Sequence, residues 1–204
     1  MPTAYSAEHT KQMLAASLKK LMAVKPFHKI TVRDVVDDGG LNRQTFYYHF
    51  QDLPDLAKWM FEQEIIILLQ AQENFLTWED GVLQLFNYLE ANRAVCLCAL
   101  HSLGHEQLKR LVYADSHAFL KKVVEHLAVG LEVDEAYKDF VAHFYTVALA
   151  GLAESWLLTP SSQQMSPEEM MALINLTMGD NIRNALERYA QAQKTKVKKA
   201  PGKK

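Results

Sequence analysis

The sequence predicts an all-α protein, a three-helix head followed by a six-helix body. Three observations carry that reading. Apolar residues recur every three or four positions along most of the chain, no run alternates apolar and polar residues as a half-buried strand would, and helix-start signals open one segment after another.

The first helix is expected over about residues 6–24, with Leu14, Leu18 and Leu21 on one face and Pro26 ending it. Phe27 and Ile30 then plug the head. Thr31-Val32-Arg33-Asp34 reads as a capping box, a hydroxyl at the N-cap and a carboxylate three residues on. Val32, Val35 and Val36 give that second helix one apolar face. Gly39-Gly40 ends it, because glycine takes positive φ without a Cβ penalty. Gly39 is expected to loosen the turn, since a helical glycine costs about 1 kcal/mol against alanine. Leu41 packs inward, Asn42 caps the third helix, and Phe46 and Phe50, four apart, face the core.

A fourth helix should start near Asp52, with Pro54 in its first turn, and pass through Trp59, Phe61, Ile65, Leu68 and Leu69 to about residue 74. It joins head to body without a flexible linker. Further helices are expected over about residues 78–90, 92–101, 104–128 and 134–158, the last ended by Thr159-Pro160. Ser166-Pro167-Glu168-Glu169 opens a ninth, expected to run unbroken to about residue 193 with a stripe from Met170 to Tyr189. The domain boundaries that follow are a head over 1–51, a body over 52–193 and a disordered Lys-rich tail over 194–204.

A composition of 49% hydrophobic and 23% charged residues suits a globular protein rather than a disordered one. The most apolar run, Ile65 to Leu69, is far shorter than the ~20 residues a bilayer span needs. No signal peptide is visible, and Cys96 and Cys98, two apart on a helix, point to different sides. Together these indicate the cytoplasm and no membrane partner. Charge is uneven. Residues 1–50 hold seven Lys/Arg against four Asp/Glu, residues 51–193 hold nine against twenty, and residues 194–204 hold six lysines and no acid. A basic head on an acidic body suits a protein that presents one end to phosphates.

The two short helices around the glycine turn form a helix-turn-helix, whose second helix enters the major groove of DNA. Arg43 and Gln44 lie in the first turn of that helix, where arginine can pair with guanine O6/N7 and glutamine with adenine N6/N7. Thr31, Asn42, Thr45, Tyr47, Tyr48 and His49 offer donors that suit phosphate oxygens. Lys11 and Lys29 add charge at the rim. For Tyr47 and His49 packing inside the head is the alternative, and for the Lys-rich tail a plain solvated end is favoured over a DNA grip.

At these residues the sequence resembles the TetR/AcrR family of transcriptional regulators. The carriers are the Thr-opened helix, the glycine turn, and the recognition helix ending Tyr47-Tyr48-His49-Phe50, within about residues 8–62. With Asp52, Leu56 and Trp59 it is similar to a subgroup that includes dihydroxyacetone-kinase operon regulators. The resemblance implies a homodimeric regulator on a near-palindromic double-stranded DNA operator, more commonly a repressor, or an activator working through a partner protein. It implies contacts to DNA from Thr45, Tyr47 and His49, and a base contact from Arg33. It departs at Leu53, where many members carry a phosphate-contacting lysine, so one backbone contact is expected to be missing here.

The body is expected to dimerise through its last two helices, by Phe144, Ala148, Gly151, Leu152 and Trp156 on one and Leu173, Ile174 and Ile182 on the other. An effector pocket for a small molecule, or a surface for a partner protein, is implied in the body. Its candidate lining is Trp59, Phe86, Cys96, Leu100, His101, Tyr113 and His117, with solid core the better reading for any single residue. His101 and His105 have the i,i+4 spacing of metal ligands, but Gly104 lies between them and no third ligand announces itself, so no metal and no cofactor are expected. No nucleophile elbow or phosphate loop suggests an enzyme. The rival readings are a helical ligand-binding bundle with a non-DNA head, and a scaffold whose head binds protein.

Overall fold

The computed structural model describes residues 7–71, 78–102, 105–178 and 180–199, and among them every regular element is helical. In order these are α1 (Ala7–Met22), a single 3-10 turn (Phe27–Lys29), α2 (Val32–Asp38), α3 (Arg43–His49), α4 (Leu53–Ala71), α5 (Trp78–Ala91), α6 (Arg93–Ser102), α7 (His105–Leu127), α8 (Glu135–Leu158), α9 (Pro167–Met178) and α10 (Asn181–Lys199).

The starts are set by local chemistry. Thr31 and Asp34 form the expected capping box of α2. At α4, Asp52 accepts from the Asp55 N–H (2.9 Å) while Asp55 accepts from the Gln51 N–H (3.0 Å). At α9 the Ser166 N–H donates to the Glu169 carboxylate and the Glu169 N–H to the Ser166 hydroxyl, a reciprocal box like that of α2. Each such cap contributes about 1 kcal/mol.

The turn between α2 and α3 divides its labour between two glycines. Gly40 alone has positive φ (63°), and the Leu41 N–H reaches back to the Val36 carbonyl (2.8 Å), closing α2 in a Schellman turn. Gly39 keeps a negative φ of −81°. A Cβ there would lie 3.1 Å from Ser17 Oγ and 3.3 Å from the Val35 carbonyl oxygen. The missing side chain at Gly39 lets α1 lie close against the end of α2.

The single ninth helix expected to residue 193 is two helices. The Asn181 side-chain amide donates to the Thr177 carbonyl, satisfying one of the last carbonyls of α9, and the Asn184 N–H bonds the Asp180 carbonyl (2.9 Å) as a new helix begins. α10 keeps its helical backbone through Lys199, so residues 194–199 continue a helix where a disordered tail was expected.

The chain divides into two compact units, Met1–Phe75 with Gln84–Val112, and Leu76–Leu83 with Tyr113–Lys204. In the first, Leu14, Leu18, Phe27, Ile30, Val35, Phe46 and Phe50 form one core with Leu56, Ala57, Met60 and Phe61 of α4 and Val95 and Ala99 of α6. The apolar core of the head thus runs past residue 51. In the second, Leu120, Val124, Val141, Ala142, Leu149, Trp156, Ile174, Ile182 and Leu186 are buried. By length and composition α8 could cross a bilayer, which the shorter run at Ile65–Leu69 could not. A core helix passes the same test, and the inner face of α8 supplies much of this second core.

Candidate nucleic-acid interface

α3 is seven residues long and is held from one side. Phe46 is fully buried and Phe50 nearly so, their rings 6.1 Å apart, and Phe50 meets Trp59 of α4 edge to face at 5.8 Å. Everything else on α3 is left outward or half outward. Arg43 and Gln44 are exposed in its first turn, and Tyr47 and Tyr48 are exposed at 59% and 82%. Thr45 and His49 are half-buried, with His49 against the Tyr48 ring (4.9 Å) and the Phe50 ring (6.5 Å). Asn42 is exposed and its carbonyl oxygen caps the helix, accepting from the Thr45 N–H (2.8 Å) and hydroxyl (3.1 Å).

On α2 the Thr31 hydroxyl is already engaged. It accepts from the Asp34 N–H (3.2 Å) and donates to the Asp34 carboxylate (2.8 Å), while Lys25 Nζ lies 2.9 Å from the same carboxylate. Lys25 first, then Thr31, hold the Asp34 carboxyl down at about 2. A hydrogen bond from Lys20, helped by Ser17, holds Asp38 below the usual carboxylate range. Arg33 lies 3.3 Å from Asp37, a solvent-exposed pair of the kind worth only about 0–1 kcal/mol. The three acids of α2 are therefore each matched by a cation from the head itself, and their repulsion of a polyanion is offset. Among the described residues, neither Arg43 nor Lys29 takes part in an ion pair. Lys11, the other expected rim charge, sits over the Trp59 ring (5.6 Å).

The structure brings the nine expected DNA-facing residues onto two adjoining helices and their caps. Of the seven expected pocket residues, five belong to the first unit and two to the second. Trp59 packs on the head core. Phe86, Cys96 and Leu100 are buried in the first unit, and His101 is exposed, its ring Nδ1 2.7 Å from the Leu97 carbonyl. Tyr113 and His117 belong to the second unit, stacked at 5.8 Å, with Tyr113 hydrogen-bonded to His143 and His117 Nε2 3.9 Å from Asp139. Among the described residues no three His, Cys, Asp or Glu side chains group as a metal site. The His105 side chain lies outside the described residues.

Of the eight expected dimer residues, Phe144, Gly151, Leu152 and Leu173 are exposed and Ala148 is half-buried. With Phe140, Val147 and Leu158, the four of these on α8 make an outward apolar stripe there, Leu173 stands outward on α9, and nothing lies within 4 Å of a Cβ built at Gly151. Trp156 (3% exposed), Ile174 and Ile182 are inside the chain's own core, and the Trp156 indole donates to the Met165 carbonyl (2.9 Å). Periodicity missed Lys20, Lys25 and Ser17 as partners of the α2 acids, because all three lie on the α1 side of the turn with no local signal.

Among the described residues, the helical architecture, the capped helix-turn-helix and the polar, aromatic outer face of α3 have the form of the helix-turn-helix class of regulators. Residues 76–180, just over half of the chain, match the TetR_C_8 family, described as a transcriptional regulator C-terminal region. The chain belongs to the TetR family of transcriptional regulators. It is similar to the HTH-type dhaKLM operon transcriptional activator DhaS of Lactococcus lactis subsp. lactis (strain IL1403), 32% identical over 84 residues, which are 41% of this chain and 45% of that protein. The chain thus aligns with less than half the length of that curated relative. Its fold is similar to the solved dihydroxyacetone kinase operon activator DhaS (TM-score 0.67, 20% identity, 90% of this chain and 97% of that one). It is also similar to a TetR transcriptional regulator from Streptococcus agalactiae 2603V (TM-score 0.61, 22% identity, 84% and 94%). A third similar fold is NalD of Pseudomonas aeruginosa, the secondary repressor of the MexAB-OprM multidrug efflux pump (TM-score 0.62, 15% identity, 84% and 94%).

Proposed function

We propose that this chain is a cytoplasmic, homodimeric, sequence-specific DNA-binding regulator, with residues 1–51 as its DNA-contacting part. The observation that carries the reading is the division of α3, with Phe46 and Phe50 anchored inside while Arg43, Gln44, Tyr47 and Tyr48 stand in solvent. Arg43 and Gln44 read base edges, and Arg33 leaves Asp37 for a base or phosphate. Asn42, with its amide NH2, and Tyr47, Tyr48, His49, Thr31 and Thr45 take phosphates. Two such helices, about 34–36 Å apart in successive major grooves, need a two-fold dimer. The outward stripe of α8 around Gly151, with Leu173 of α9, is the surface we assign to it.

A small-molecule effector or a partner protein at the body changes operator affinity by the ratio of its own affinities for the DNA-binding and released states. Release of a repressor is the first reading of that control. Activation is the second, favoured by the printed role of the Lactococcus relative.

Selection of operator sequences from random duplex DNA tests the proposal. A near-palindrome should emerge, bound with a log–log salt slope of about −0.9 per phosphate contacted. Recovery of no sequence, or a flat salt slope, would favour the rival in which the head binds protein or nothing. A promoter fusion carrying the selected operator then reads the sign, since a repressor lowers and an activator raises its output.

A further inference from the structure

One carboxylate in the first unit joins three helices. Glu64 of α4 takes Lys19 of α1 on one oxygen, 2.7 Å away, and the phenol of Tyr88 of α5 on the other. Lys19 Nζ also lies 5.5 Å from the centre of the Tyr88 ring. The group is mostly withdrawn from water, with 30% of the Lys19 side chain and 19% of that of Glu64 exposed. The nearby Cys96 thiol of α6 is buried and pushed up to about 12, first by burial and then by the Glu64 charge, so it stays neutral and adds no competing anion.

α1 links this group to the head. Lys19 follows Leu18, which with Leu14 is fully buried against the core that holds α2 and α3. Rotating or sliding α1 on α4 would draw Lys19 off Glu64 and leave a charge poorly solvated, a far larger loss than an exposed pair would give. The Lys19–Glu64 pair can form in only one relative setting of α1 and α4, so it favours one registry between them.

We propose that Glu64, clamped between Lys19 and Tyr88, is a positioning residue for DNA binding. It sets the seat of α1 on α4 and through α1 the presentation of α3, and a displacement of Tyr88 from Glu64 reaches the head through one shared carboxylate. The DNA half of this statement rests on the function proposed above. The clamp itself does not.

The full-length protein tests it with Glu64→Gln, Tyr88→Phe, the double variant, and the charge swap Lys19→Glu with Glu64→Lys. In the free protein, amide hydrogen exchange across α1 should quicken about fivefold in Glu64→Gln and in Tyr88→Phe, while α8 and α10 exchange as in the wild type. Operator affinity should fall about fivefold in each, with non-specific binding unchanged, and the double variant should lose no more than the worse single. The charge swap should recover part of the loss, which a purely volumetric role would not allow. Wild-type exchange across α1 in both single variants, or fully additive losses, overturns the proposal. If the wild type selects no operator, the DNA-binding function fails, and the exchange data alone decide whether the clamp seats α1. If Glu64→Gln does not fold, Tyr88→Phe, which removes one hydroxyl, decides in its place.

Discussion

The outward faces of α3 and α8 are both left in water by the single chain, yet they are built from opposite chemistry. α3 shows Arg43, Gln44, Tyr47 and Tyr48, each with a donor, and two of them with an aromatic ring as well. α8 shows Phe140, Phe144, Val147 and Gly151, none with a side-chain hydrogen-bonding group, and the exposed Ser155 hydroxyl follows one turn on. A face of the first kind keeps its hydration until a charged, hydrogen-bonding partner replaces it. A face of the second kind gains from any partner that excludes water, at ~25 cal/mol per Å² of apolar area covered. Exposure alone therefore distinguishes nothing, and it is the side-chain inventory that supports the two proposed partners, a polyanion at α3 and a second copy of the chain at α8.

The comparison breaks most completely if α3 loses its anchor. Phe46→Ala empties a fully buried site and should destabilise the first unit by about 3–5 kcal/mol, read as a lowered denaturation midpoint with loss of DNA binding. A midpoint within error of the wild type would mean that α3 is held by something other than its aromatic underside.

Arg43→Ala touches only the outward side. It should weaken operator binding by about 1–3 kcal/mol and relax selection at one base position, with dimer and midpoint unchanged. Equal affinity for the variant would refute the base-reading role.

Gly151→Leu probes the other face. An added Cβ meets nothing within 4 Å in the single chain and the change removes a helical glycine, so the fold should hold or gain about 0.5–1 kcal/mol. Self-association should nonetheless weaken about tenfold, seen by sedimentation against concentration. Identical sedimentation would move the interface off this stripe.

The smallest effect is a pH dependence. Asp34 is held at about 2 by Lys25 and Thr31, below the unfolded value of about 3.9. A lowered carboxyl contributes stability that is present above the unfolded value and lost as pH falls through the folded one, here between about 4 and 2. Asp34→Asn should flatten that part of the stability–pH curve and leave the α8 face untouched. An unchanged acid limb would show that the Asp34 pair contributes nothing measurable.

How far these features could be read in advance follows from the range of each signal. Caps, the glycine turn and the Phe46/Phe50 pair are written within four residues, and the Thr31, Asn42 and Ser166 caps appear where local chemistry predicts them. The division between α9 and α10 was hidden because the apolar stripe continues across it, while the break depends on side chains turning back on the Thr177 carbonyl. Trp156 and Ile174 share helices with exposed apolar residues, and a helix apolar nearly all round does not reveal which side its own chain covers, while Ile182 belongs to α10, whose inner face its own chain covers. Trp59, a candidate for either pocket or solid core by its sequence, packs on the head core, a contact set by where α4 meets Phe50. Lys19, Glu64 and Tyr88 are 45 and 24 residues apart, beyond the reach of any spacing rule.

The shared core of the first unit has a practical corollary for anyone building chimaeric regulators. Cutting at residue 51 and grafting this reading head onto another scaffold would strip it of Leu56, Ala57, Met60, Phe61, Val95 and Ala99, and uncover the apolar undersides of α1 and α3. A transplant that keeps its shape must bring those six side chains along, or find their equivalents in the recipient, because the portable module is defined by what touches it rather than by where the recognition motif stops.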